Sequence, residues 1–154
     1  MVDSKKSHRP NYFIIKIWIM KKNVGIWIDT HLAVVIKLSN GEHTVKTIES
    51  NIDTRVRTPG ESKKYGRFDG HYITYEKNWA NKKLEQTREF LKILLNEIED
   101  CDALVLFGPS IMKTIFEKEI KNNLNLIVKL SGVFDADSMT ENQMVAWVKD
   151  FYKK

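Results

Sequence analysis

The stretch from Asp102 to Ile120, DALVLFGPSIMKTIFEKEI, constrains the fold of this chain more than any other. Ala103-Leu104-Val105-Leu106-Phe107 is an apolar run with no polar alternation, the pattern of a strand covered on both faces. Gly108-Pro109-Ser110 turns the chain, and Pro109 suits a helix's first turn because the amide it lacks would be unpaired there. Ile111, Met112, Ile115, Phe116, Glu119 and Ile120 continue with a stripe at helical spacing. A central strand running straight into a helix implies a crossover α/β sheet.

The remaining segments fit around it. Val24-Gly25-Ile26-Trp27-Ile28 predicts a strand ended by Asp29-Thr30-His31, and Leu32 to Leu38 predicts a second. Asn40-Gly41 between two such runs is a strong hairpin signal. His43 to Glu49 alternates, with Val45 and Ile48 able to reach the core, as a half-exposed third strand. Asn51 to Tyr75 has no sustained period, carries Pro59, Gly60, Gly66 and Gly70, and predicts a long loop of the kind that carries function. From about Tyr75 to Ile98 a helix follows, with Leu84, Thr87, Leu91, Leu94, Leu95 and Ile98 on one face. After Asn122-Asn123 come a helical turn and a last strand near Leu130 to Asp135. Ser138 and Glu141 predict a capping box. The closing helix carries Met144, Trp147, Val148 and Phe151 on one face.

Three strands, then helix, strand, helix, strand, helix (βββαβαβα) predicts an α/β domain of the ribonuclease-H-like fold: an antiparallel meander extended by two crossover units. At 154 residues the chain makes one domain able to bury its own core. Its 42% hydrophobic and 29% charged content excludes general disorder. A lone cysteine, Cys101, excludes an internal disulfide and a multi-cysteine metal site, and suits a reducing cytoplasm. No segment predicts a membrane span. Residues 1–19 begin like a signal peptide, but Lys16 interrupts the apolar run Tyr12 to Ile19, and Met20-Lys21-Lys22-Asn23 stands where a cleavage site would be. They are expected to be an extension outside the fold, with residues 20–154 forming the domain; the alternative is an added edge strand.

Gly25-Ile26-Trp27-Ile28-Asp29, Ala103 to Pro109 with its helix, and Asp135-Ala136-Asp137-Ser138-Met139-Thr140-Glu141-Asn142-Gln143 leading to Val145 through Phe151 occur in the order and spacing of a known family. From Val24 onward the chain resembles the middle domain of archaeal and eukaryotic class I release factors and of Pelota, the ribosome-rescue paralogue. More closely it resembles small stand-alone bacterial relatives described as translational machinery proteins. The resemblance implies a ribosome- or RNA-associated role. Release factors hydrolyse peptidyl-tRNA with a Gly-Gly-Gln tip between the third strand and the first long helix. The matching stretch here, Asn51 to Tyr75, has no Gly-Gly pair and no glutamine, so release activity is expected to be absent. Pelota lacks the tip as well, so its loss leaves ribosome binding open.

That stretch nevertheless holds the candidate RNA-binding residues. Arg55, Arg57, Lys63, Lys64 and Arg67 oppose only Glu61, with Tyr65, Phe68, His71 and Tyr72 among or just after them. Cations neutralise phosphates, and ring faces stack on unpaired bases. The competing reading is a solvated loop whose charge serves solubility. The net charge of +5 leans the same way toward anionic partners; RNA or the ribosome is the expected partner, not DNA or membrane.

An enzyme reading also fits the fold. Two-metal phosphodiester cleavage needs several converging carboxylates; Asp29, Glu85, Asp135 and Asp137 are the candidates, with Glu76 and Glu89 as substitutes for Glu85. The central strand ends Phe107-Gly108-Pro109, where such enzymes need a further acid. Asp29 has a bland explanation as a turn residue. A third reading is a protein-interaction module using a sheet edge. No cofactor is expected: Asp29-Thr30-His31-Leu32 lacks the glycine of phosphate-gripping turns, and His8, His31, His43 and His71 are far apart in sequence.

Overall fold

The computed structural model describes residues 21–54 and 71–154. The elements run β1 (Asn23–Ile28), β2 (Leu32–Ser39), β3 (Glu42–Glu49), α1 (His71–Ile98), β4 (Ala103–Gly108), α2 (Met112–Lys121), α3 (Leu124–Ile127), β5 (Leu130–Asp135) and α4 (Glu141–Lys153). The side chains of residues 71–75 and the arrangement of residues 1–20 lie outside what is described, so the expected extension at 1–19 is outside it too.

Five strands form one sheet in the order β3-β2-β1-β4-β5. β2 runs antiparallel to both its neighbours, and β4 and β5 run parallel to β1. This is the expected ribonuclease-H-like arrangement. Asn40 (φ 55°) and Gly41 (φ 82°) make the two-residue turn between β2 and β3, closed by the Ser39–Glu42 pair. Two consecutive positive φ values define the turn whose twist matches paired strands.

The period of two along β1 and β4 sorts side chains onto the two faces. Val24, Ile26, Ile28, Leu104 and Leu106 join Phe90, Leu91, Leu94 and Ile98 of α1 and Met112, Phe116 and Ile120 of α2 in one core. Trp27, Val34, Ile36 and Phe107 join Met144, Val145 and Val148 of α4 in the other. Phe107 and Trp147 stack with centroids 4.2 Å apart, and Phe134 and Phe151 extend the ring cluster. The Trp27 indole donates to the Asp137 carbonyl at 3.3 Å, and the Tyr152 hydroxyl donates to the Val24 carbonyl at 2.8 Å.

Four details depart from the sequence expectation. α1 begins at His71 rather than near Tyr75, so four residues assigned to the loop are helical. Leu84 is half exposed; Leu91, Leu94 and Ile98 are buried as expected and Phe90 joins them, because that is the part of the helix lying over the sheet. The cap of α4 is Thr140 rather than Ser138: Thr140 Oγ1 accepts from Gln143 N at 3.4 Å, and Gln143 Oε1 accepts from Thr140 N at 2.8 Å. A glutamine closes this box as well as a glutamate would. Pro109 precedes α2 rather than opening it, and Ser110 Oγ accepts from Met112 N at 3.2 Å.

Two glycines are fixed by close approach. A Cβ on Gly25 would stand 2.3 Å from Val148 Cγ2, and one on Gly108 (φ 150°) would stand 2.2 Å from the Ile28 carbonyl oxygen. Gly25 therefore sets how near α4 lies to the sheet. Gly25→Ala is expected to lower stability by about 1–3 kcal/mol through overpacking, and Val148→Ala in the same chain to restore part of the loss. Urea denaturation of the two single variants and the double variant checks this as a cycle.

On the α1 side, Glu97 is ion-paired with Lys46 and, at 3.3 Å, with Lys37. The Lys46 hydrogen bond, opposed by burial, holds the Glu97 carboxyl below its ordinary 4.5. The folded state thus keeps Glu97 ionised where the unfolded chain would protonate it, and its stabilisation is present above pH 4.5 and lost as the pH falls further. The Tm gap between wild type and Glu97→Gln is expected to be steady from pH 6 to 8 and to shrink below about pH 4.5.

Candidate nucleic-acid interface

The chain entering the basic stretch is tied to one end of the sheet. Where β3 finishes, Ser50 is buried; its amide donates to the His31 carbonyl and its hydroxyl to the Thr30 carbonyl, each at 2.7 Å. Ile52 is buried and its amide donates to Ser50 Oγ at 3.3 Å, while Asn51 takes a left-handed turn (φ 52°). The Asp53 amide donates to Gln86 Oε1 of α1 at 3.2 Å. The departing chain is thereby stapled to the β1–β2 turn on one side and to α1 on the other.

That β1–β2 turn is itself organised by Asp29. Its Oδ1 accepts from the amides of His31 (2.7 Å) and Leu32 (2.8 Å), and its own amide donates to the Leu32 carbonyl at 3.0 Å. A carboxylate spanning two following amides makes an Asx turn, which is the structural role expected of aspartate there.

α1 supplies the other flank. Its 28 residues reach about 42 Å, whereas an eight-residue strand spans about 26 Å. Gln86 is where α1 first meets the β3 exit, and Phe90 is the first residue of the helix placed in the core. Residues 76–85 are exposed except for the half-buried Trp79, so the first half of the helix overhangs the sheet. Lys83 Nζ lies 5.4 Å from the Trp79 ring centroid, a cation–π contact that leaves both groups at the surface. The overhang also carries Lys77 and Lys82 against Glu76 and Glu85.

Of the sequence-derived RNA candidates, Arg55, Arg57, Lys63, Lys64, Tyr65, Arg67 and Phe68 lie outside the described residues. His71 and Tyr72 lie in the first turn of α1 rather than in the loop. Trp79 and Lys83 were not singled out from sequence. Their i, i+4 spacing on a segment with no apolar stripe was the available signal.

The carboxylates of the nuclease reading do not converge. Asp29 Oδ1 is taken by backbone amides. Asp135 pairs with Lys113 of α2, whose side chain is nearly buried. Asp137 offers its carbonyl to Trp27, and Glu85 stands exposed on the α1 overhang. Among the described residues no three His, Cys, Asp or Glu side chains form a group able to hold a metal.

Among solved structures the fold has counterparts. Pelota from Archaeoglobus fulgidus superposes with a TM-score of 0.51 at 14% identity, over 90% of this chain and 34% of that one. This is a Pelota-like fold. An archaeal translation termination factor, aRF1, gives a TM-score of 0.45 at 14% identity over 86% of this chain and 39% of that one. Dom34 of S. cerevisiae, described as a translation termination-like factor, gives 0.38 at 11% over 93% and 40%. The chain thus spans little more than a third of the length of these proteins. No protein-family model and no curated protein matches the sequence. Among the described residues, no helix is long and apolar enough to cross a membrane.

Cys101 is buried between α1 and β4, and burial pushes its thiol above the ordinary range. A protonated thiol without access is a poor nucleophile. Native protein is therefore expected to resist a thiol-directed reagent such as 5,5′-dithiobis(2-nitrobenzoate) and to react with one equivalent only after unfolding in guanidinium, followed as absorbance of the released thiolate.

Proposed function

We propose that the chain is a non-catalytic protein of translation that associates with RNA or the ribosome. One observation carries the reading: the sequence between the Ser50–Asp53 anchor and the start of α1 holds Arg55, Arg57, Lys63, Lys64 and Arg67. Cations of this kind neutralise phosphates and rings stack on unpaired bases. The Pelota-like fold supports a place in translation, since the factors sharing it act in termination and its relatives. The absent Gly-Gly-Gln tip supports binding without peptidyl-tRNA hydrolysis.

A second reading, a protein-interaction module, is favoured by one feature. β5 is an edge strand, and Leu124 (83% exposed) and Val128 (81%) stand beside it with Phe134 partly uncovered. A defined dimer with no affinity for RNA would select this reading.

Replacing Arg55, Arg57, Lys63, Lys64 and Arg67 with Glu is expected to abolish co-sedimentation with ribosomes at 100 mM KCl and to flatten the salt dependence of RNA binding. Sedimentation over sucrose cushions at several salt concentrations, with circular dichroism to confirm folding, checks this. Co-sedimentation equal to wild type would remove the stretch from the interface.

A further inference from the structure

Two clefts flank the β2–β3 hairpin at the end of the sheet where β1 begins, one on each face, and they handle charge in opposite ways. On the α1 face the lysines are neutralised within the fold: Lys22 pairs with Asp100 at 2.8 Å, and Lys37 pairs with Glu97 at 3.3 Å. On the α4 face a cleft of about 330 Å³ is lined by Lys21, Lys149 and Lys153, with Glu42 as the only carboxylate in its wall among the described residues.

Among the described residues, neither Lys21 nor Lys149 has an ion pair or hydrogen bond. Lys153 reaches only Asp150, at 3.5 Å, and both of those side chains are about three-quarters exposed. Such a pair contributes little and opens readily. Lys149 is half buried and lines the cleft, as a lysine does when its aliphatic stem packs and its head stays accessible. Tyr152 stiffens the floor through its bond to the Val24 carbonyl. Asn23, Ser39 and Asn40 add neutral hydrogen-bonding groups between the lysines.

We propose that this cleft seats backbone phosphates of a bound RNA, as a second contact separate from the 55–67 stretch. Three like charges gathered against one carboxylate in the wall and one exposed, weak ion pair are relieved by an anion, whereas on the opposite face each lysine is held by a carboxylate. Lysine ammonium groups bind phosphate as point charges without reading sequence, and the interspersed amides and hydroxyl suit ribose hydroxyls. β1 rises about 20 Å along the sheet, which puts the cleft at the far end from the Ser50 anchor. An RNA held at both would run along the α4 face or around the hairpin. The identity of the polyanion rests on the RNA reading above; the cleft itself does not.

The test uses the full chain and fluorescence anisotropy with a labelled 20-nucleotide oligouridylate from 50 to 300 mM KCl. Lys21→Gln/Lys149→Gln/Lys153→Gln is expected to reduce the slope of log K against log[KCl] by about 2 and the affinity at 100 mM KCl by about tenfold. Lys118→Gln/Lys121→Gln/Lys129→Gln, which removes equal charge from the α1 face, is expected to leave the slope nearly unchanged. Equal slope losses in the two triple variants, or none in the first, would overturn the cleft. Displacement of the oligonucleotide by inorganic phosphate at constant ionic strength would mark a free-phosphate site and overturn the RNA assignment. Loss of binding only in the 55–67 variant would sink the cleft and leave the proposed function standing. Loss only in the cleft variant would keep the cleft and remove the 55–67 stretch from the interface, and no binding by wild type would end both.

Discussion

The rest of the structure depends on the parallel pairing of β1 with β4, two adjacent strands whose side chains are covered on both faces. Parallel pairing demands a crossover connection, and double burial demands helices above and below. α1 and α2 answer on one face and α4 on the other. Because Gly25 and Gly108 sit in this pair with no room for a methyl group, the spacing between the two strands and the α4 layer is set by backbone and Val148 contacts rather than by adjustable side chains. Cores packed to crystal-like density transmit such constraints over the whole domain.

Much of this was legible in the sequence because both periodicities are strong where burial is complete. Leu104 to Phe107 and Ile26 to Ile28 are uniformly apolar, and Asn40-Gly41 allowed one turn geometry. The misreadings share a cause. Leu84 fits a helical stripe, but a stripe says only which face is apolar and not how far the neighbouring sheet extends; α1 outlasts the strands beneath it. The start of α1 at His71 was hidden because His71 to Tyr75 carry no apolar period to mark helix from loop. Ser138 and Thr140 are both good caps, and the choice was made by tertiary contact, since Asp137 is held back by the Trp27 indole.

The candidate site was legible as composition but not as placement. Arginines and lysines can be counted along the stretch from Arg55 to Arg67; that the chain entering it is pinned by Ser50 and Gln86 cannot, because those bonds join residues far apart in sequence. The carboxylates of the nuclease reading erred in the opposite direction. Their order along the chain matched a known arrangement, while two of them had partners that spacing alone does not reveal: two amides for Asp29 and Lys113 for Asp135.

The long first helix has a mechanical consequence. From His71 to Glu85 it extends roughly 22 Å beyond its last hold on the domain, with the Asp53–Gln86 bond acting as fulcrum. A tilt of roughly 10° about that point sweeps the tip through about 4 Å, comparable to the gap between stacked bases. A lever of this kind can follow a moving surface while the sheet stays still, so adaptability at the tip requires no softness in the core.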